Sequence, residues 1–188
     1  MIAIVNFSAR TAGNCAAIAR ELSTLHPDEE TINLPVGQMH LSPCRACQYE
    51  CFTQPDACPH VADDLIGLYQ QLLRSRLTYF ILPNYAGAPP AAYFAFNERS
   101  QCVFQGNEPL LNEYLAVPKR FIFVSNQSSA VFDELPMYHT AEGSTIRQLY
   151  LAPRRYSPSS IDATMMEASA ARQALADFVC ECEANPTA

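Results

Sequence analysis

Apolar and polar positions along this chain fall into blocks whose period changes between that of a buried strand and that of a helix. Residues 1–7 are an apolar run suited to a strand covered on both faces. Residues 13–25 follow, opening on Gly13 and Asn14 and carrying Ala, Ile and Leu at helical spacing. Residues 31–34 predict a short second strand, 77–82 a third that Pro83 ends, and 121–124 a fourth. Residues 145–151 predict a fifth, weakened by Arg147 and Gln148. A helix is expected to start near Val61, with Leu65, Leu68, Leu72 and Leu73 on one face. Asp63 and Asp64 would sit in its first turn, where carboxylates complement the helix dipole. An Ala- and Phe-rich helix is predicted over 89–100 and a closing helix over 161–182. Residues 36–59 show no period and read as a Cys-rich excursion.

Strands alternating with helices predict an α/β domain: a parallel, doubly wound sheet with helices on both faces, residues 1–188 forming one unit. In such sheets ligands sit outside the carboxyl ends of the strands, where strand order switches. The loops after strands one, three and four are therefore the expected seats of chemistry.

Composition narrows the partners. A net charge of −7, with Lys119-Arg120 and Arg154-Arg155 only as isolated pairs, argues against nucleic acid, which demands clustered cations. The apolar start is short and has no basic leader, so neither a signal peptide nor a membrane anchor is expected, and a cytoplasmic location follows. Eight cysteines then need a reason, because cytosolic thiols are kept reduced and clusters of them bind metals or react.

The first loop, Ser8-Ala9-Arg10-Thr11-Ala12-Gly13-Asn14-Cys15, joins strand one to helix one. Hydroxyls, Asn and free amides at a helix N-terminus suit a phosphate; an ordinary capped turn is the plain alternative. The loop is not a G-x-G-x-x-G fingerprint and lacks a Walker Gly-Lys pair. The loop after strand three, Pro83-Asn84-Tyr85-Ala86-Gly87, offers a rigid backbone and one ring to place near a planar heterocycle. Ser125, Asn126 and Ser128, after strand four, either cap a helix or reach a ligand.

Taken in order, the Ser8-x-Arg10-Thr11-x-Gly13-Asn14 loop, Pro43-Cys44-x-x-Cys47, Cys51, Cys58, Asp63-Asp64, Pro83-Asn84-Tyr85-Ala86-Gly87 and Asn97-Glu98-Arg99 resemble a known family. It is the NAD(P)H-dependent FMN reductase and iron–sulfur flavoprotein branch of the flavodoxin-like superfamily. The resemblance implies a three-layer α/β/α sandwich with a five-stranded parallel sheet in the order 2-1-3-4-5. It implies that Ser8, Arg10, Thr11, Gly13, Asn14 and Cys15 hold the phosphate of FMN. Pro83, Asn84, Tyr85, Ala86 and Gly87 would flank the isoalloxazine ring, with Ser125, Asn126 and Ser128 closing its other side. NAD(P)H is the implied co-substrate, and a homo-oligomer, dimer or tetramer, the implied assembly. The chain departs from the family in placing Asn84 before the Tyr and Ala86 after it, where larger or aromatic residues are common, and in Cys15, where a small hydroxyl residue is common.

Cys44, Cys47, Cys51 and Cys58 are close enough in sequence to wrap one metal centre. By resemblance this is a 4Fe–4S cluster, although the family has a shorter spacer between the second and third cysteines. A four-thiolate zinc site and plain reduced thiols are the other readings. Cys102 reads as core, Cys180 and Cys182 as the end of the last helix, His60 as a helix-entry residue, Arg99 with Glu98 as a surface ion pair, and His139 as a solvated loop residue or a proton donor above the flavin. The function expected is electron transfer from NAD(P)H through FMN to a small acceptor such as a flavin or quinone. The alternatives are an iron–sulfur flavoprotein relaying electrons between protein partners, and a regulatory protein without turnover.

Overall fold

The computed structural model describes residues 1–44, 48–54, 58–127 and 130–184. Five strands, β1 (Ile2–Asn6), β2 (Thr31–Leu34), β3 (Leu77–Pro83), β4 (Lys119–Val124) and β5 (Arg147–Leu151), form one parallel sheet in the order 2-1-3-4-5. The central strands β1, β3 and β4 are buried along their whole length. Because successive side chains point to opposite faces, each strand feeds two cores. Ile2, Ile4, Tyr79, Ile81 and Ile122 pack against α1 (Asn14–Leu25) and α8 (Ser169–Ala184). Ala3, Val5, Phe80, Leu82, Phe121 and Phe123 pack against α2 (Leu65–Arg74), α3 (Ala91–Glu98), α4 (Gln101–Phe104) and α5 (Glu108–Ala116). The short helices α6 (Ala130–Glu134) and α7 (Pro153–Tyr156) follow β4 and β5.

The second core is unusually aromatic, and at its centre lies His139 rather than in a solvated loop. Its ring is 1% exposed, touches Phe80, Phe96 and Phe121, and is hydrogen-bonded to Tyr93 Oη through Nε2 (3.1 Å) and to Tyr114 Oη through Nδ1 (2.9 Å). Burial, assisted by the charge of Lys119, pushes its pKa down to about 3. It is a neutral core residue and cannot serve as a donor above a flavin.

Several boundaries move for identifiable reasons. β4 starts at Lys119, because the two cations that begin it turn inward to acceptors. Lys119 Nζ donates to the carbonyls of Tyr114 and Val117, and Arg120 Nη1 to Tyr79 Oη at 2.6 Å. The predicted 89–100 helix breaks at Arg99 into α3 and α4. The predicted closing helix begins only at Ser169, since residues 157–164 form a loop with Ala163 at positive φ and a Ser157–Thr164 hydroxyl contact of 2.6 Å.

The excursion is latched to the following helix. Asp64 accepts from the His40 amide (2.7 Å), and Asp63 from the amides of Ser42 (2.9 Å) and Leu65 (3.1 Å). The two carboxylates therefore hold a loop, and α2 begins after them. Arg99 is fully buried and ion-paired with Asp63, not with Glu98, which instead accepts from the Cys44 amide at 2.6 Å.

Where the excursion leaves β2, the turn at Val36–Gln38 lies against the loop after β1. A Cβ on Gly37 would stand 2.3 Å from the Ser8 carbonyl carbon and 2.6 Å from the Ala9 nitrogen. Gly37→Ala should therefore destabilise by about 1–3 kcal/mol in urea denaturation, the usual overpacking cost. Gly67→Ala is the matched control: its Cβ meets nothing within 4 Å on α2, so it should be neutral or gain up to about 1 kcal/mol. Equal midpoints for the two variants would refute the close approach at Gly37.

Candidate functional site

The carboxyl ends of β1, β3, β4 and β5 open on a cavity of about 470 Å³. Twelve of the residues singled out from the sequence line it: Ser8, Arg10, Gly13, Asn14, Cys15, Pro83, Asn84, Tyr85, Ala86, Gly87, Ser125 and Asn126. Thr11 does not line it and is exposed, and Ser128 lies outside the described residues.

The β1 loop is pre-shaped by its own polar groups. The Ser8 amide donates to Asn6 Oδ1 (2.9 Å), and the Arg10 amide to Ser8 Oγ (3.2 Å). α1 starts at Asn14 behind Gly13, and no side chain caps its first turn. Its leading N–H groups and the positive end of the helix dipole thus face the cavity without a built-in acceptor. A Cβ on Gly13 would come 3.2 Å from Arg10 Cβ, so glycine lets this loop fold tightly. Cys15 is buried, and burial pushes its thiol up to about 12 despite a hydrogen bond to Ser8; it lines the cavity as a neutral group.

Asn84, the departure noted in the sequence, is a bracket. Its Oδ1 accepts from the Gly87 amide (2.7 Å) and its Nδ2 donates to Ser125 Oγ (2.8 Å), tying the β3 loop to the β4 loop. A tight turn follows, closed by paired backbone bonds between Tyr85 and Ala88 (2.8 and 3.2 Å). Ala86 and Gly87 both have positive φ there. Tyr85 stands half-exposed at the lip, its hydroxyl 3.3 Å from Ser8 Oγ.

Sequence reasoning missed one wall. Arg154 and Ser160 come from the stretch between the fifth strand and the expected closing helix, and Ile161 from that helix's expected first residue. Arg10 Nη2 donates to the Ile161 carbonyl, Asn14 Nδ2 to the Ser160 carbonyl (3.1 Å), and Asn126 Nδ2 to Ser160 Oγ (2.8 Å). The Arg154 amide donates to Asn126 Oδ1 (2.8 Å). The run Ser157-Pro158-Ser159-Ser160, poor in helix formers, was the available signal. Arg10 and Arg154 give this end of the cavity two cations, and no Asp or Glu lines it among the described residues.

Of the four cysteines expected to hold a metal, Cys44, Cys51 and Cys58 line one small cavity together with Cys102. Cys47 lies outside the described residues, and among the described residues no group of three or more His, Cys, Asp or Glu is arranged to hold a metal ion. Cys51 and Cys58 instead pack with Cys102, brought in from α4. The Arg99 guanidinium takes a place beside the sulfurs, donating to Cys58 Sγ at 3.7 Å and to the His60 carbonyl at 3.1 Å. Burial raises the Cys58 thiol, but bonds from the His60 amide, Cys102 and Arg99 outweigh it and hold the thiol below its ordinary value.

No protein-family model and no curated protein matches the chain. Solved structures do. RosB with bound 8-demethyl-8-formylriboflavin 5′-phosphate is similar with a TM-score of 0.69 at 12% identity, over 95% of this chain and 75% of that one. The azoreductase AzrA gives 0.61 at 10%, over 96% and 99%. An NADH:FMN oxidoreductase in its apo form gives 0.56 at 9%, over 96% and 88%. The fold is flavodoxin-like. Such a fold binds at its strand-order switch, between β1 and β3, which is where the cavity opens.

Proposed function

We propose that the chain is an FMN-dependent oxidoreductase that passes electrons from NAD(P)H to a small acceptor such as a flavin or quinone. The observation that carries this reading is the two-ended cavity. At one end an uncapped helix N-terminus stands with Arg10 and Arg154; at the other a rigid turn presents Tyr85 and open backbone. One end suits a phosphate and the other a planar ring. Bound there, the flavin would supply hydride acceptance and return.

The protein's part is binding and orientation. Arg10 is steadied by the Ile161 carbonyl and keeps its charge for the phosphate. Asn14 is held by Ser160 and, through Oδ1, accepts from the Met165 amide (3.3 Å), which fixes the first turn of α1 against the far wall. Asn84 sets the ring-side turn, and the open lip at Tyr85 leaves room for donor and acceptor to take turns. The exposed Tyr49, Phe52 and Phe94 support assembly into a homo-oligomer. No helix among the described residues is long and apolar enough to cross a membrane.

The test is a titration of the flavin-free protein with FMN and with riboflavin, followed by NAD(P)H without oxygen. FMN should bind and its visible bands should bleach on adding the nicotinamide. Arg10→Ala should weaken FMN by about tenfold, the worth of one charge-assisted hydrogen bond, and leave riboflavin unchanged. A protein that binds neither flavin sinks the proposal, and equal losses for both would move the phosphate away from Arg10.

A further inference from the structure

A second group of reactive side chains shares no residue with the cavity at the carboxyl ends of the strands. Cys58 closes the excursion and Cys102 sits on α4, well separated in sequence, yet the Cys102 thiol donates to Cys58 Sγ at 3.2 Å. Both are thiols in the structure. Each retains a sliver of exposure, 9% and 8%, at the edge of a small cavity also lined by Cys44, Cys51 and His60.

We propose that Cys58 and Cys102 are a reversible dithiol–disulfide pair, with Arg99 as the residue that positions Cys58, and that hydroperoxides oxidise it. The pair is built rather than incidental. Arg99 is fully buried and anchored on Asp63 and on the carbonyls of Ser42 and His60, which aims its Nη2 at Cys58 Sγ. Its Nε is buried with no hydrogen-bond partner among the described residues, so the guanidinium is not fully spent on its anchors. A donor aimed at sulfur stabilises the negative charge that builds on an attacking thiol. Cys102 is the hydrogen-bond donor of the pair and Cys58 the acceptor, so the Cys58 sulfur carries the electron density and reacts first. The order of events follows. The Cys58 sulfur attacks the O–O bond of hydrogen peroxide; Cys58–SH and H2O2 become Cys58–SOH and water. The Cys102 sulfur then attacks Cys58–SOH, giving the S–S bond and a second water. Two electrons leave the thiol pair and reduce one peroxide, and the sulfurs need close only about 1 Å to reach bonding distance.

The disulfide would staple the end of the excursion to α4, and a small thiol would reopen it by exchange. Exposed Cys180, on α8 and outside the packed group of Cys51, Cys58 and Cys102, serves as the internal reference.

The decisive experiment treats the intact, reduced protein with stoichiometric hydrogen peroxide, quenches, alkylates under denaturing conditions, and maps peptides by mass. The expected product is one linked peptide pair, Cys58 with Cys102, two hydrogens lighter than its parts. Both thiols should vanish together while Cys180 is fully alkylated, and dithiothreitol should restore them. In Cys102→Ser the Cys58 product should stop at sulfenic acid and be captured by dimedone. Linkage of Cys58 to Cys51, independent oxidation of the two thiols, or protection by a metal that a chelator removes would each overturn the proposal. The map of the unmodified protein decides the matter even if the variant does not fold.

Discussion

Replacing Arg99 with methionine should cost the fold about 3–5 kcal/mol, the range for removing one member of a buried ion pair. The side chains of Arg99 and Asp63 are 1% and 3% exposed, so neither solvent nor salt screens the pair. Methionine fills much of the same volume, which leaves lost charge and hydrogen bonds as the cause. Asp63 would keep the Ser42 and Leu65 amides but lose its counter-charge. The Ser42 and His60 carbonyls would lose their donor. The damage would spread to the excursion, because Asp63 and Arg99 together hold it against α2 and α4. Burial alone would raise the Asp63 carboxyl, but hydrogen bonds from Ser42, Arg99 and Leu65 and the Arg99 charge hold it below its ordinary 3.8. Its contribution is therefore present above pH 3.8 and is lost as pH falls further, and R99M should shrink it. Urea midpoints at pH 7 for R99M and D63N, and for the double variant, measure this. A loss under about 1 kcal/mol in R99M, as for a surface pair, would refute the buried latch.

That pair also shows where the sequence misleads. Glu98-Arg99 at the end of an apolar helix reads as two charges on one exposed face. The helix stops at Glu98, and Arg99 leaves the helical path at φ −88°, ψ 2°, which sends the neighbours in different directions. Periodicity describes a regular element and says nothing about its last residue. The same holds for Asp63 and Asp64: their place before a leucine-rich face suggests dipole partners, while the groups that donate to them are loop amides distant in sequence. His139 lies between Tyr138 and Thr140 in a run without period, so no local pattern marks a ring whose partners, Tyr93 and Tyr114, arrive from two other helices.

What was legible were the elements whose burial is written into one continuous run. β1, β3 and β4 are buried at every position, so their apolar runs needed no long-range information. The site loops on β1 and β3 were legible because they follow those strands directly. The far wall was not, since Arg154, Ser160 and Ile161 reach the cavity only through contacts with Arg10, Asn14 and Asn126. α5 escaped notice although Asn107 caps it, accepting from the Leu110 amide, with Pro109 in its first turn. Cys102 looked like ordinary core, and its meaning comes from a sulfur 44 residues away.

The second large effect is acid sensitivity between pH 6.5 and 4.5. His139 stays neutral in the fold down to about pH 3, whereas in the unfolded chain it protonates near its ordinary 6.5. A histidine whose folded pKa is lowered favours the unfolded state as pH falls, because that state binds the extra proton. Each pH unit below 6.5 then costs about 1.4 kcal/mol, or about 3 kcal/mol by pH 4.5. Neighbouring groups do not blur this window. Lys119, lowered by burial to about 7, costs stability as pH falls from 10.5 to 7 and contributes no further slope below. Asp63 acts only below 3.8. His139→Gln keeps a donor and an acceptor between Tyr93 and Tyr114 but removes the titrating group. Its stability at pH 7 should fall, since an amide fits the aromatic cage less well, and its profile between pH 6.5 and 4.5 should flatten. Urea unfolding at half-unit steps of pH separates the two: an unchanged slope in H139Q would place the acid-labile group elsewhere, and a flattened one would assign it to this buried ring.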